Sequence, residues 1–348
     1  MPAKDDCDPA EPAAVLIPST DLSADIAVFE AAGFMLVVIF PADDPHTAKM
    51  TGPGLALEIS TQSHTVAPTI RIPGLEASVR TSAGADLLRP SPDPQYPDLQ
   101  SQYVFTTGGD WGVGRASMQY RDLLPDRHGG RVIASHIRIA EPGPVPDYVH
   151  HHDIAFQMIY CRRGRVEVVY EDQGEPFWMT EGDFVLQPPH IRHRVLNSDD
   201  GCEVVEIAAP AEHPTFIDHQ LTLPTAKVDR DRDFGGQRFC FNRATDLPWK
   251  PLATGWEEQV NGFSQATNAL ANVRVIRPAA SAEPLAGTSG GDLCLLFVLA
   301  GAARVTCSGG QQRVGIDDSI AVAAGDGWSI DEPTNDFSCL HIELGDTS

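Results

Sequence analysis

The chain has 348 residues, with 25 Lys and Arg against 48 Asp and Glu, a formal net charge of −23. Phosphate backbones demand Lys and Arg, so nucleic-acid binding is not expected, and no stretch approaches the roughly 18 apolar residues of a membrane span. The length allows two or three domains; seven scattered cysteines without a CxxC pair, and a start (Met1 to Asp8) lacking basic-then-apolar order, point to a cytoplasmic protein with free thiols and no structural zinc cluster.

Residues 12–62 read strand, helix, strand, strand, strand. Ala14-Val-Leu-Ile-Pro is apolar and strand-like. Asp21 can cap a helix from Leu22 to Ala32, which Gly33 ends. Phe34-Met-Leu-Val-Val-Ile-Phe is a buried strand, Asp43-Asp44-Pro45 a turn, and Thr51-Gly-Pro-Gly a second turn before Leu55-Ala-Leu-Glu-Ile. Ser19-Thr-Asp-Leu and Ala32-Gly-Phe-Met resemble one βαβββ module of the glyoxalase, or vicinal-oxygen-chelate, superfamily, over residues 1–64. A lone module leaves a sheet edge and a concave face uncovered. It is expected to pair across a homodimer or to cover a neighbouring barrel, in a structural or oligomerisation role.

Residues 65–127, rich in Pro, Gly and Ser around Arg89-Pro-Ser-Pro-Asp-Pro, read as a wrapping linker. Trp111-Gly-Val-Gly-Arg115 and Tyr120-Arg121-Asp122 are unusual in a linker. They suit either packing over a barrel mouth or anchoring on a barrel's outside.

Residues 128–215 carry the chain's most informative pattern. His150, His151 and His152 stand in a row, Gln157 follows, then Gly164. Residues two apart on a strand share a face, so His150 and His152 project together and His151 points away. A turn at Asp153 brings Gln157 beside them. Gly182-Asp183 turns into Phe184-Val-Leu, Pro188-Pro189 ends that strand, and His193 begins the next. On Arg131-Val-Ile-Ala-Ser-His-Ile-Arg-Ile, His136 and Arg138 share one face. Looking inward, Arg138 can hold a substrate carboxylate; looking outward, it is an ordinary surface residue. Arg162-Arg163-Gly reads as a solvent-facing hairpin turn, and His46, His64, His213 and His219 as surface residues.

This pattern resembles the cupin superfamily. His150, His152, Gln157 and Gly164 match its first motif, and Gly182, Pro188, His193 and Asn197 its second. Two positions depart: Gln157 replaces the usual glutamate ligand, and His190 the usual glycine before the second-motif histidine. The resemblance implies a metal site of His150, His152, His193 and Gln157. Imidazoles suit iron, zinc, copper and nickel, and manganese is also open. With Gln157 neutral, the ion's charge is uncompensated, which favours an anionic chelating partner. Gln157 either ligates weakly or leaves three histidines with open positions.

Residues 216–348 contain a degenerate copy: Leu296-Phe-Val-Leu-Ala-Gly301 parallels Met158-Ile-Tyr-Cys-Arg-Arg-Gly164. Gly287, Ser289 and Cys294 then stand at the His150, His152 and Gln157 positions, and Trp328 opposite His193. The expected fold is mainly β, with two jelly-roll (cupin) barrels in tandem plus the small N-terminal βαβββ module. One barrel is metal-competent, and Trp328 fills the vacant pocket of the other. The function implied is an Fe(II) dioxygenase using O2 on a small anionic, enolisable or phenolic substrate, with Arg138 or His190 neutralising its charge. An isomerase or lyase working through an enolate, with His190 or Tyr148 as base, is the alternative. A non-catalytic small-ligand binding or sensor protein is the third reading.

Overall fold

Strands dominate, some alternating in period two, as in Ala303–Cys307, and others apolar on both faces, as in Leu293–Ala300, and the two faces of a strand have different destinations. A computed structural model describes residues 13–345 apart from 53, 64–68, 72–76, 81–85, 89–102, 280 and 309. The start of the chain, His64 and the Pro-rich run at 89–94 lie outside these residues. Among the described residues no helix is long and apolar enough to cross a membrane, and the six cysteines found there are free.

Contacts divide the chain into two units, Met1–Gln95 with Pro214–Asp218, and Tyr96–His213 with His219–Ser348. In the first, Ala14–Pro18, helix Leu22–Ala31, Met35–Phe40, Thr47–Gly52 and Leu55–Ser60 follow in the expected order. The Asp21 carboxylate accepts from the Ala24 N–H (3.0 Å) and caps the helix. Ala14–Pro18 runs parallel to Leu55–Ser60, the crossover that a strand-helix-strand entry demands. The expectation of an uncovered sheet edge is corrected. Thr69–Arg71 pairs with Ala14–Pro18 on one side, and Thr215–Ile217 pairs with Met35–Phe40 on the other.

The second unit holds two jelly-roll barrels. In the first, one sheet runs Phe177–Thr180, Arg165–Tyr170, His193–Ser198, His150–His152. Its opposing sheet runs Cys240–Asn242, Phe184–Leu186, Phe156–Arg163, Cys202–Ala209, Ile133–Ile139, Gln119–Asp122, Gly112–Val113. The second barrel repeats the plan. A sheet of Leu285–Thr288, Gly327–Asp331, Ala303–Cys307 and Gly310–Val314 faces one of Lys250–Ala253, Trp256–Val260, Ala271–Pro278, Ser338–Leu344, Leu293–Ala300, Ser319–Ala323 and Tyr103–Thr106.

The two larger sheets meet in a shared core. Phe156, Met158 and Tyr160 face it, as do Leu293, Leu295, Phe297 and Leu299 of the second barrel. The intervening residues Gln157 and Ile159 face the first barrel's cavity, while Cys294, Leu296 and Val298 fill the second barrel's interior. A one-residue slip in either strand would exchange these faces, so burial on both sides fixes the register. Gly164 turns the first-barrel hairpin at φ +67°, and a Cβ there would come within 3.2 Å of the Cys202 Cα.

Two strands cross between barrels. Tyr103–Thr106 precedes the first barrel in sequence but pairs with Ser319–Ala323 of the second. Cys240–Asn242 lies in the second half of the chain but pairs with Phe184–Leu186 of the first. The stretch 65–127 therefore supplies strands to both barrels rather than only wrapping them.

Candidate metal centre

His150 and His193 stand opposite one another on paired strands, and His152 lies two residues along on the same face. The ring centroids are 4.2 Å apart for His150 and His193, 5.2 Å for His150 and His152, and 5.3 Å for His152 and His193. One nitrogen from each ring lies within 4.8 Å of the others. All three side chains are buried. The His150 Nδ1–H donates to the Tyr148 carbonyl (2.8 Å) and the His193 Nδ1–H to the Ile191 carbonyl (3.0 Å). A carbonyl only accepts, so in both rings Nδ1 carries the proton and Nε2 keeps its lone pair. The buried His150 Nε2 has no hydrogen-bond partner.

Burial pushes the His150 and His152 pKa values well below the ordinary histidine range, and that of His193 down to about 4. The three rings are therefore neutral at physiological pH, the form that ligates a metal. Gln157 donates from Nε2 to the Glu206 carboxylate, and its buried Oε1 has no hydrogen-bond partner. Three clustered neutral imidazoles, one with an unpartnered Nε2, and an unsatisfied amide oxygen on one cavity fit a transition-metal ion of borderline softness.

The cavity is small, about 70 Å³, room for roughly five waters. Met118, Ile137, Val168, Val195 and Val204 give it apolar walls. Arg115, Tyr170, Gln187 and Glu206 add polar groups. The Gln187 amide donates to the Tyr170 hydroxyl (3.0 Å), and the Tyr170 ring lies 5.6 Å from that of His193, nearly parallel to it. Arg115 forms a salt bridge with Asp147. The second Asp147 oxygen accepts from the Val195 N–H (3.0 Å), and Oδ1 lies 3.6 Å from His150 Nδ1. Burial alone would raise the Asp147 pKa; Arg115, His150 and the Val195 N–H overrule it and hold it below the ordinary carboxylate value. The Arg115 Nε–H is buried without a hydrogen-bond partner.

Three expected site residues lie elsewhere. Arg138 faces out of the barrel toward its twin, where Nε and Nη2 donate to Glu203 (3.0 and 2.9 Å) and the guanidinium covers the Trp111 ring at 4.2 Å. On the same face, Arg121 donates to His136 (3.0 Å) and His136 to Glu203 (2.9 Å). This outer face is not the pocket: His136 is buried against Phe297 of the second barrel, while Arg138 stays partly exposed to solvent. Arg162, expected in solvent, reaches Asp317 of the second barrel at 3.1 Å. His190 is exposed, its ring 3.6 Å from Asp153, and Tyr148 is exposed beside the His219 ring (6.0 Å). Neither lines the cavity. His213, expected on the surface, is buried with its ring edge-on to His152 at 5.2 Å.

Sequence reading missed the polar cavity residues Arg115, Tyr170, Gln187 and Glu206, and Asp147, which pairs with Arg115. Trp111-Gly-Val-Gly-Arg115 gave a signal for the first. Glu206 gave none, because Cys202–Ala209 carries a glutamate on each face, Glu203 outside and Glu206 inside.

The second barrel bears out the repeat. Gly287 pairs with Trp328 as His150 pairs with His193. The Trp328 ring occupies the space a Gly287 Cβ would need, at 2.6 Å. Cys294 Sγ lies 3.3 Å from His341 Nε2, and Arg274 donates to His341 Nδ1 (2.8 Å). Burial and Arg274 push the His341 pKa down to about 3. This has a testable consequence. The folded value lies below the unfolded one of about 6.5, so between them the unfolded chain binds the extra proton. The His341 contribution is complete above about pH 6.5 and is lost as pH falls toward 3, by up to about 1.4 kcal/mol per pH unit. The metal-free cavity histidines act in the same direction. Urea unfolding of metal-free protein from pH 8 to pH 4 should show stability falling below pH 6.5. The His341→Gln variant should show a shallower slope, and an identical slope would refute the assignment.

Comparison with known proteins agrees with this geometry. Residues 137–208 match the family model described as cupin domain. The match covers the strands that carry His150, His152, Gln157 and His193. Three solved structures share the fold over most of the chain. The E. coli protein Ylba has 12% identity and TM-score 0.53, covering 72% of this chain and 94% of that one. A Bacillus subtilis oxalate decarboxylase OxdC variant has 13% identity and TM-score 0.53, covering 73% and 80%. A salicylate 1,2-dioxygenase variant from Pseudoaminobacter salicylatoxidans, in complex with gentisate, has 15% identity and TM-score 0.51, covering 72% and 83%. The comparison with curated proteins gives no match.

Proposed function

We propose that this chain is a metal-dependent enzyme acting on a small carboxylate, with Fe(II) as the metal and O2 as co-substrate in the leading version. The observation that carries the reading is the trio of neutral buried imidazoles sharing one cavity with an arginine. His150, His152 and His193 would hold the ion, with the Gln157 carbonyl as fourth donor. When bound, the ion supplies Lewis acidity and, as iron, a redox partner for oxygen.

The chain's own residues do the rest. Arg115 takes the substrate role once expected of Arg138, because its unpartnered Nε–H offers a charge-assisted bond to a carboxylate. The apolar walls exclude water and strengthen that bond. The confined cavity of about 70 Å³ suits a small substrate. The Glu206 carboxylate on the cavity wall supports a second reading, proton transfer in an isomerase or lyase, since Gln157 cannot take a proton. For the N-terminal unit, glyoxalase-like in sequence, we propose a structural role, because the cluster of potential metal ligands among the described residues lies in the barrel.

Anaerobic purification with elemental analysis, then oxygen uptake over a panel of small oxo acids, diketones and catechols, tests the reading. Iron-loaded protein with no uptake and no spectral change would reject the oxygenase version. Solvent deuterium entering a substrate without oxygen uptake would select the second. Arg115→Lys keeps a cation beside Asp147 but loses the guanidinium edge. It should weaken carboxylate binding about 10-fold or more with metal content unchanged. Equal affinity in the two proteins would remove Arg115 from the substrate site.

A further inference from the structure

Gln157 stands where a glutamate ligand would carry a negative charge, and the cavity holds that charge nearby. Ile159 is the direct cross-strand partner of Glu206, and Gln157 the next residue on the same face. Such diagonal neighbours lie within reach of long side chains. The Gln157 amide nitrogen donates to Glu206 Oε1, and the amide oxygen is buried without a hydrogen-bond partner. An ionised carboxylate only accepts, so contact with Glu206 admits one amide orientation, nitrogen toward Glu206 and oxygen away. The degenerate barrel repeats the juxtaposition: Leu296 pairs with His341, and Cys294, at the Gln157 position, contacts His341 (3.3 Å). Glu206 also acts electrostatically on Arg115.

We propose that Glu206 is a positioning residue that turns the Gln157 carbonyl toward the three imidazoles and supplies, one residue further out, the charge missing from position 157. The inference rests on the metal reading above. Arg115 contributes +1, and Asp147 and Glu206 contribute −1 each, which leaves the empty site at −1. A divalent ion takes it to +1 and a monoanionic substrate to zero. Without Glu206 the same ion would leave +2 in a low-dielectric cavity. The sequence-level expectation of an uncompensated ion is thereby revised: the compensation is displaced rather than lost.

The test titrates metal-free protein with Mn2+ and with Zn2+ and needs no substrate. Wild type, Glu206→Gln, Gln157→Glu and the exchanged pair Q157E/E206Q are compared, with thermal unfolding of each metal-free form. Glu206→Gln should weaken metal binding by about 10- to 100-fold, the range for outer partners of metal ligands, with the unfolding temperature little changed. Gln157→Glu sets two carboxylates side by side and should bind metal with a steeper pH dependence. The exchanged pair restores one carboxylate and one amide with the bond reversed, and should return affinity to within a few-fold of wild type. Wild-type affinity in Glu206→Gln, or no recovery in the exchanged pair, overturns the inference alone. A wild-type protein that binds neither metal overturns the metal reading and this one with it.

Discussion

His152→Ala is expected to abolish metal binding, taking the metal content of anaerobically purified protein from about one ion per chain to background. Three candidate ligand nitrogens within 4.8 Å of one another become two, and a two-histidine site lacks the three protein ligands that open metal sites use. His213 packs edge-on to His152, but it is not among the nitrogens that lie within 4.8 Å of one another. His151→Ala is the matched control, one residue away in sequence but on the opposite face, its ring 5.8 Å from that of His190. It should keep its metal. Elemental analysis of both variants, with circular dichroism to confirm folding, decides the matter. Metal retained in His152→Ala, or lost equally in His151→Ala, would refute the ligand set.

The second large effect concerns stability. Phe297→Ala, in the second barrel, should cost about 3–5 kcal/mol and lower the unfolding temperature by on the order of 10 °C. Phe297 is fully buried in the core shared by the two large sheets, with its ring 5.8 Å from that of His136 in the first barrel. Around it, Arg121 also donates to the Asp317 carbonyl of the second barrel (3.0 Å). Truncation leaves a cavity between rigid sheets that cannot close over it. The two barrels should therefore unfold in one transition, and metal retention should be lost at the same lowered temperature. Calorimetry with metal-release measurements checks this. Two separate transitions, with the first barrel's unmoved, would show that the barrels are energetically independent.

The histidine cluster was legible in the sequence because its information is local: period two puts His150 and His152 on one face, and turn residues fix where His193 enters. Trp328 was legible for the same reason, since the repeat preserves strand and turn lengths after its ligands are gone. The Asp21 cap and the Gly33 stop were likewise written within a few residues. What was not legible depended on distant partners. His136 looks like part of a solvent face unless a second sheet is known to cover it. Tyr103–Thr106 reads as linker because the strand it pairs with lies roughly 200 residues further on, and Arg115 reaches the cavity through a loop with no periodicity. Glu206 and Glu203 differ by three positions, and alternation alone gave no reason to send one in and the other out.

The crossing strands also bear on how the chain is made. Translation at about 5–20 residues per second delivers Tyr103–Thr106 on the order of 10 to 40 s before Ser319–Ala323, its neighbour in the finished sheet. During that interval the nascent polypeptide carries an unsatisfied β-edge, open to wrong pairings with other nascent copies. A gene cut between the barrels makes the delay permanent for both halves, since each fragment then lacks a strand encoded by the other. The smallest heritable piece of this architecture is thus the tandem itself, and separate expression of either half should give insoluble material that co-expression rescues.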